Sequence, residues 1–189
     1  MKPLTLSLLL AVAIGNSGEV TSQSTQDWQK ADVATVRLRP SAFVDLSVPI
    51  RQDLEKRGCT VPQVYGRAVP HNVVRGRFTS ASQMDVAVLC SKARVSSILV
   101  FRGGAVTDVA ELASSPDKDF LQGVGEDIIG YSRSLGVANP KYIQDHYDAY
   151  GGPKPPPLDH DGIDDGFDGK ASTVRYWYRG QWLRLQGAN

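Results

Sequence analysis

The chain has few of the residues that usually build a catalytic or metal centre. It contains two cysteines and three histidines in 189 residues, and His71, His146 and His160 lie far apart. Zinc sites use His and Cys at close spacing, so no zinc centre is expected. The Gly-x-Ser-x-Gly and His-Glu-x-x-His motifs of common hydrolases are also absent. No nucleophile is indicated, and a non-enzymatic role is favoured over an enzyme.

The chain also lacks an excess of either charge. Its 21 Lys and Arg residues face 20 Asp and Glu, which gives a net charge of +1. Without a basic run there is no electrostatic reason to expect a nucleic-acid partner. The one long apolar run, residues 4–14, is shorter than the roughly 20 residues that a membrane-spanning helix needs. We therefore expect no transmembrane helix.

The apolar run near the N-terminus has the layout of a secretory signal peptide. It follows Lys2 and is succeeded by small and polar residues. We place the signal peptide at residues 1–22, with Gly18 as an alternative cleavage point to Ser22. Residues 23–35 are polar and predict a flexible leader, and residues 36–189 form one domain. The protein is expected to be secreted or periplasmic, with an unidentified extracellular or envelope partner.

Cys59 and Cys90 both belong to the part of the chain that would be exported. An oxidising compartment favours their pairing, and the alternative is two buried free thiols. A disulfide closing a loop of about thirty residues would stabilise the fold by about 3 to 4 kcal/mol.

Periodicity and turn residues predict an α+β fold in a single domain. We expect an antiparallel sheet of about five strands, two or more helices and a C-terminal β-hairpin. A helix is predicted between Ser47, a capping residue, and Gly58, a stop, and another begins at Asn139-Pro140. The hairpin is predicted to turn at Arg179-Gly180. The other expected elements are strands at residues 72–78, 84–90 and 96–101, and a Pro-rich spacer at residues 153–157.

The segment 159–170 carries five aspartates and three Asp-Gly pairs. Such carboxylates repel one another, and a bound calcium ion would offset their charge. The candidate ligands are Asp159, Asp161, Asp164 and Asp165. Neither register of the segment fits the EF-hand pattern. Three alternatives stay open: Asp-Gly turns with surface acids, an acidic catalytic or partner-binding cluster, and pairing with arginines of the hairpin, such as Arg175.

Two functions follow from these features. The first is an exported binding or structural domain, with calcium as a candidate cofactor. The second is an exported hydrolase of cell-wall or extracellular polymer that uses Asp161, Asp164 or Asp165 with His160 as acid and base. The aromatic residues of the hairpin, Trp177 among them, suit either a stacking platform for a ligand or the core.

A short stretch of the chain resembles the strand-loop-strand unit of FG-GAP or VCBS repeats. Gly76-Arg77-Phe78 is followed by Asp85-Val86-Ala87-Val88-Leu89, and the loop between them lacks the acids of that family. The resemblance implies local β-structure and an extracellular, non-enzymatic lineage. The chain as a whole resembles exported bacterial proteins with a Gly-Cys helix end and a Trp-containing hairpin, a resemblance that implies no activity.

Overall fold

The computed structural model of the protein describes residues 18–189, with side chains from residue 25 onward. This part of the chain forms three α-helices and twelve strands. The helices are α1 Gly18–Ala34, α2 Val48–Arg57 and α3 Pro140–Tyr150. The strands are β1 Arg37–Leu38, β2 Val61–Pro62, β3 Val73–Gly76, β4 Asp85–Lys92, β5 Val95–Phe101, β6 Val109–Pro116, β7 Leu121–Gly125, β8 Ile128–Tyr131, β9 Arg133–Ala138, β10 Gly162–Phe167, β11 Ala171–Tyr178 and β12 Gln181–Gln186.

The strands form two larger and two smaller sheets, all antiparallel. The first large sheet has the order β3-β4-β5-β6, and the second has the order β12-β11-β10-β9. Two short pairs, β1-β2 and β7-β8, complete the set. The α+β class is confirmed, whereas the prediction of one sheet of about five strands is wrong. A local pattern shows that a strand exists but does not show which strands pair across the fold.

Three hydrophobic clusters show that the two large sheets lie face to face between α2 and α3. Alternate residues of β4 point to opposite sides, so Val88 packs toward α2 while Leu89 packs toward the second sheet. The second sheet contributes Ile163 to the space between the sheets. Its outer face packs on Ile143 of α3. The predicted strand at residues 84–90 is confirmed as β4, which is buried on both faces because its residues from Asp85 to Ser91 are all buried.

The predicted disulfide between Cys59 and Cys90 is confirmed. Helix α2 ends at Gly58, which adopts the left-handed conformation with φ of 76°, and Cys59 follows immediately. Cys90 lies on β4, and the next residues, Thr60 and Ser91, exchange two backbone hydrogen bonds of 2.9 and 2.7 Å. The disulfide and these two backbone hydrogen bonds together fix the end of α2 to β4, a central strand of the first sheet.

The C-terminal hairpin is also confirmed, with β11 and β12 paired around Arg179-Gly180. Both turn residues have positive φ, 47° and 84°, as a two-residue turn that matches the twist of the strands requires. The Pro-rich spacer at residues 153–157 contains neither helix nor strand.

The N-terminal part differs from the prediction. Helix α1 covers residues 23–34 of the segment 23–35, for which the sequence predicts a flexible leader. Ala31 packs against the core between the sheets, and Asp32 pairs with Arg37 at 2.8 Å. Polar composition alone does not reveal such contacts with the folded body. The predicted signal peptide, residues 1–22, lies mostly outside the described residues. Among the described helices, none is both long and apolar enough to cross a membrane.

Candidate functional site

The aspartate segment is a strand rather than a loop. Its central part is β10, which pairs with β9 on one side and β11 on the other. Successive side chains of a strand point to opposite faces of the sheet, so Asp164 and Asp165 are directed away from each other. Asp165 lies on the inner face, together with buried Ile163, and Asp164 lies on the face that carries α3. The centre of the segment is therefore a strand, and the turn expected at Asp-Gly pairs is found at Asp168 and Gly169, directly after β10.

Asp165 is neutralised by arginines. Its carboxylate accepts hydrogen bonds from Arg133 Nε at 2.8 Å and from Arg175 Nη2 at 2.9 Å. Arg133 is fully buried and also donates to the backbone oxygens of Ser96 and Ala113. The alternative in which hairpin arginines offset the acidic charge is confirmed for Arg175. The second arginine, Arg133, carries no sequence signal that would have identified it.

The other candidate ligands lie apart from Asp165. Asp161 exchanges hydrogen bonds with the backbone of Arg77, at 3.0 Å through its carboxylate and 2.9 Å through its amide. The side chain of Asp159 is 77% exposed. Within residues 18–189, no group of three or more His, Cys, Asp or Glu is arranged to hold a metal ion. Calcium binding by Asp159, Asp161, Asp164 and Asp165 stays a prediction, and their placement on different faces gives it no support.

Asp164 joins helix α3 to the second sheet. Its Oδ2 accepts a hydrogen bond of 3.1 Å from the hydroxyl of Tyr142, and the ring of Tyr142 packs against His146 with centres 4.0 Å and planes 34° apart. Burial raises the pKa of the Asp164 carboxyl, although hydrogen bonds from Ser172 and Tyr142 oppose the shift. The carboxylate thus contributes to the attachment of α3.

His160, the proposed acid or base, lies beside Asp159, whose Oδ1 is 3.7 Å from the ring Nε2. The ring is buried and stacks on Tyr176 with centres 4.4 Å apart and planes 10° apart. Its Nδ1 contacts the backbone oxygen of Asp161 at 2.9 Å. The ring is therefore held by packing and by a backbone contact next to the start of β10. These contacts give the hydrolase alternative no support.

The aromatic residues of the hairpin divide between core and surface. Tyr176 is fully buried, whereas Trp177 and Trp182 are partly buried and contact each other at 5.5 Å between ring centres. Arg102 lies over the ring of Trp177 at 4.3 Å and covers one of its faces. The core role is therefore confirmed for Tyr176, and the platform role stays a prediction for the two tryptophans.

In the stretch that resembles an FG-GAP unit, hydrogen-bond donors of this chain surround the carboxylate of Asp85. Asp85, at the start of β4, is fully buried. Its carboxylate accepts hydrogen bonds from the backbone and hydroxyl of Thr79, from Gln83 and from the Gly103 amide, at 2.7 to 2.9 Å. All four contacts come from neutral groups of this chain, so both carboxylate oxygens have partners without a cation. The resemblance to that family stays a prediction.

A cavity that the sequence does not indicate lies between α1 and the body of the protein. We call it the helix-loop pocket. It has a volume of about 320 Å³ and is lined by residues from three parts of the chain: 31–38, 63–70 and 129–131. The walls are mostly apolar, with Ala34, Leu38 and Val64 among the lining residues. Many lining side chains are small, which leaves space that the chain itself does not fill.

Residues 63–70, the pocket loop, are held by specific contacts. The amide of Gln63 donates to Val36 at 2.9 Å, and the amide of Tyr65 donates to Tyr131 at 2.8 Å. Arg67, also a lining residue, pairs with Asp168 beyond β10. The loop is therefore attached to the segment that follows α1, to β8 and to the turn after β10.

Tyr65 stands over Gly130 at the pocket. A Cβ atom added at Gly130 would lie 2.5 Å from Cβ and 2.8 Å from Cγ of Tyr65, so only glycine permits this contact. The side chain of Tyr65 is still exposed, at 52% of its residue surface. A large aromatic residue thus borders the cavity without being part of the core.

Comparison of the chain with protein-family models, with curated proteins and with solved structures gives no match.

Proposed function

We propose that the protein is an exported binding domain and that the helix-loop pocket takes one small, mostly apolar ligand. The observation that carries this proposal is the cavity of about 320 Å³ bordered by the exposed ring of Tyr65. Ligand sites in proteins are concave, mostly apolar and upward of about 300 Å³ in volume. The pocket meets each of these conditions.

The lining sets the class of ligand. Ala31, Ala34, Gly66 and Ala68 offer little polar surface, and Tyr131 and Leu38 add apolar walls. The polar side chain of Gln63 donates to the backbone oxygens of residues 61, 62 and 71, so its amide nitrogen is not free to bind a ligand. A compact apolar body of one or two rings, or a short branched chain, suits such walls.

Export is the second part of the proposal. The layout of residues 1–22 supports it, because that layout is typical of a signal peptide. The disulfide between Cys59 and Cys90 supports it as well, because disulfides persist in oxidising compartments. A binding role outside the cytoplasm is therefore the function we favour over the hydrolase alternative, whose acid and base residues lie in structural contacts.

Titration of the purified protein with N-phenyl-1-naphthylamine, an uncharged apolar dye, tests the proposal. We expect saturable fluorescence enhancement at one site per chain. Ala34→Leu fills the cavity and should weaken binding about tenfold or more, a loss of about 1.4 kcal/mol. Ala149→Leu is the matched control, because Ala149 is an exposed alanine of α3 outside the pocket.

Equal affinity of the native protein and Ala34→Leu would contradict the assignment of the pocket. A second variant, Ala68→Leu, fills the pocket from the loop instead of from α1. Weaker binding in both variants would show that the loss does not come from a disturbance of α1 alone. Absence of saturable binding to the native protein would contradict the proposed ligand class altogether.

A further inference from the structure

His71 lies directly after the pocket loop, and both nitrogens of its ring hold that loop. Nε2 lies 2.8 Å from the amide nitrogen of Val64, and Nδ1 lies 3.0 Å from the backbone oxygen of Val69. An amide only donates and a carbonyl only accepts, so Nε2 must be bare and Nδ1 must carry the hydrogen. One neutral tautomer satisfies both contacts.

The backbone of His71 is fixed independently of its ring. Oε1 of Gln63 accepts from the His71 amide at 2.9 Å, and Nε2 of Gln63 donates to the His71 carbonyl at 3.1 Å. These bonds do not involve an ionisable group. The ring contact with Val64 is therefore the part of this arrangement that responds to protonation.

The surroundings disfavour a charged ring. Burial is the largest cause that lowers the pKa of His71 below the 6.5 of a free histidine, and the positive charge of Arg67 acts in the same direction. The contact with Val69 and the negative charge of Asp168 oppose these effects. Arg67 and Asp168 are the charged groups that face the ring, and they pair with each other.

We propose that His71 is a pH-operated latch on the helix-loop pocket, which holds the pocket loop closed at neutral pH and lets it open on acidification. Protonation places a hydrogen on Nε2, where it faces the N–H of Val64, and two donors cannot bond to each other. The Val64 contact is then lost, and the wall formed by Val64 and Tyr65 is released. The inference rests on the proposed function, because it concerns the release of a ligand from that pocket.

The direction of the effect follows from linkage. A histidine that is kept neutral in the closed loop binds fewer protons there than in the open loop. The closed state is therefore favoured most above pH 6.5, and its advantage falls as the pH drops below that value toward the lowered pKa. The population of the open loop rises by up to about tenfold per pH unit in this window.

Hydrogen exchange tests the latch without any ligand. Between pH 6.5 and 5.5, exchange of the Val64 amide, corrected for its intrinsic pH dependence, should accelerate by up to about tenfold. His71→Gln keeps a side-chain oxygen that can accept from Val64 but does not titrate, so its corrected exchange should be independent of pH. His146→Gln removes a histidine of α3 outside the pocket and should behave like the native protein.

The dye titration at pH 7.5 and 5.0 tests the consequence for binding. We expect weaker binding at pH 5.0 for the native protein and for His146→Gln, and equal binding at both values for His71→Gln. Saturable binding that does not change with pH would overturn the latch and leave the pocket assignment intact. Loss of binding at pH 5.0 in His71→Gln would also overturn it. Failure to bind at pH 7.5 would instead contradict the proposed function.

Discussion

Arg133 and Asp165 form an ion pair in the interior of the protein, with Nε and Oδ1 2.8 Å apart and side chains only 1% and 5% exposed. The two residues lie on the adjacent strands β9 and β10, and Arg175 of β11 completes the group at 2.9 Å from the same carboxylate. Three adjacent strands of the second sheet are thus joined by one carboxylate. The negative charge that makes this segment conspicuous in the sequence is balanced here by arginine.

Replacement of Asp165 by Asn should destabilise the protein strongly. The change leaves Arg133 and Arg175 without a charged partner, and breaking a buried pair in this way costs about 3 to 5 kcal/mol. Urea unfolding of the native protein and the variant measures the difference. Asp159→Asn is the matched control in the same segment. The Asp159 side chain is largely exposed, so this substitution should leave the unfolding midpoint unchanged. A comparable loss in both variants would contradict the account.

Calcium should not stabilise the folded protein. Asp164 and Asp165 lie on opposite faces of β10, and Asp161 accepts from the Arg77 amide at 3.0 Å. A ligand that binds only the folded state raises the melting temperature by mass action. Thermal melts in EDTA and in a calcium series are therefore expected to coincide. A saturable rise that is lost in Asp161→Asn would instead establish the segment as a metal site.

Gly130→Ala should weaken dye binding by the helix-loop pocket. The new methyl group would meet Tyr65 at 2.5 Å and force the ring or β8 to move. Overpacking of this kind costs about 1 to 3 kcal/mol. Gly123→Ala on the paired strand β7 is the control, because a Cβ there has nothing within 4 Å. The comparison uses both the dye titration and urea unfolding, and identical behaviour of the two variants would count against the placement of Tyr65.

Asp164→Asn should make stability less dependent on pH in the acidic range. Burial raises the pKa of Asp164 in the folded state, so the fold favours the protonated form. The native protein therefore gains from this residue below the ordinary aspartate pKa of about 3.9 and loses that advantage as the pH rises through the folded pKa. An amide cannot ionise, so the stability of the variant relative to the native protein should increase from pH 3.5 to 7. The opposite trend in urea unfolding would refute the assignment.

Local features of the sequence predict a good part of the fold. The Ser47 and Gly58 ends of α2, the Asn139-Pro140 start of α3 and the Arg179-Gly180 turn all lie where expected. Each of these features depends on the backbone preference of one or two residues, so a short stretch of sequence is enough to predict it. The disulfide could be predicted from the expected export and from the presence of two cysteines alone.

The aspartate segment could not be predicted in the same way. Its Asp-Gly pairs favour turns, but β10 is central in its sheet and its charge is balanced by Arg133, 32 residues earlier in the chain. Tertiary partners decide strand formation at such positions. The sequence does contain Arg175 near enough to suggest pairing, and that part of the expectation is correct.

The helix-loop pocket had no sequence signal at all. Its lining combines residues 31–38, 63–70 and 129–131, which the fold brings together. Small apolar residues are common throughout proteins, and a gap between them appears only in three dimensions. The proposed role of His71 likewise depends on the Val64 amide, 2.8 Å from its ring, and no spacing rule predicts that contact.

The most direct test of the central claim is an NMR titration of the ¹⁵N-labelled protein with N-phenyl-1-naphthylamine at pH 7.5. The account predicts that saturable shifts of the backbone amides concentrate at residues 31–38, 63–70 and 129–131, which line the pocket. Shifts that cluster instead around Trp177 and Trp182, or that spread without saturation, would contradict the assignment of the ligand site.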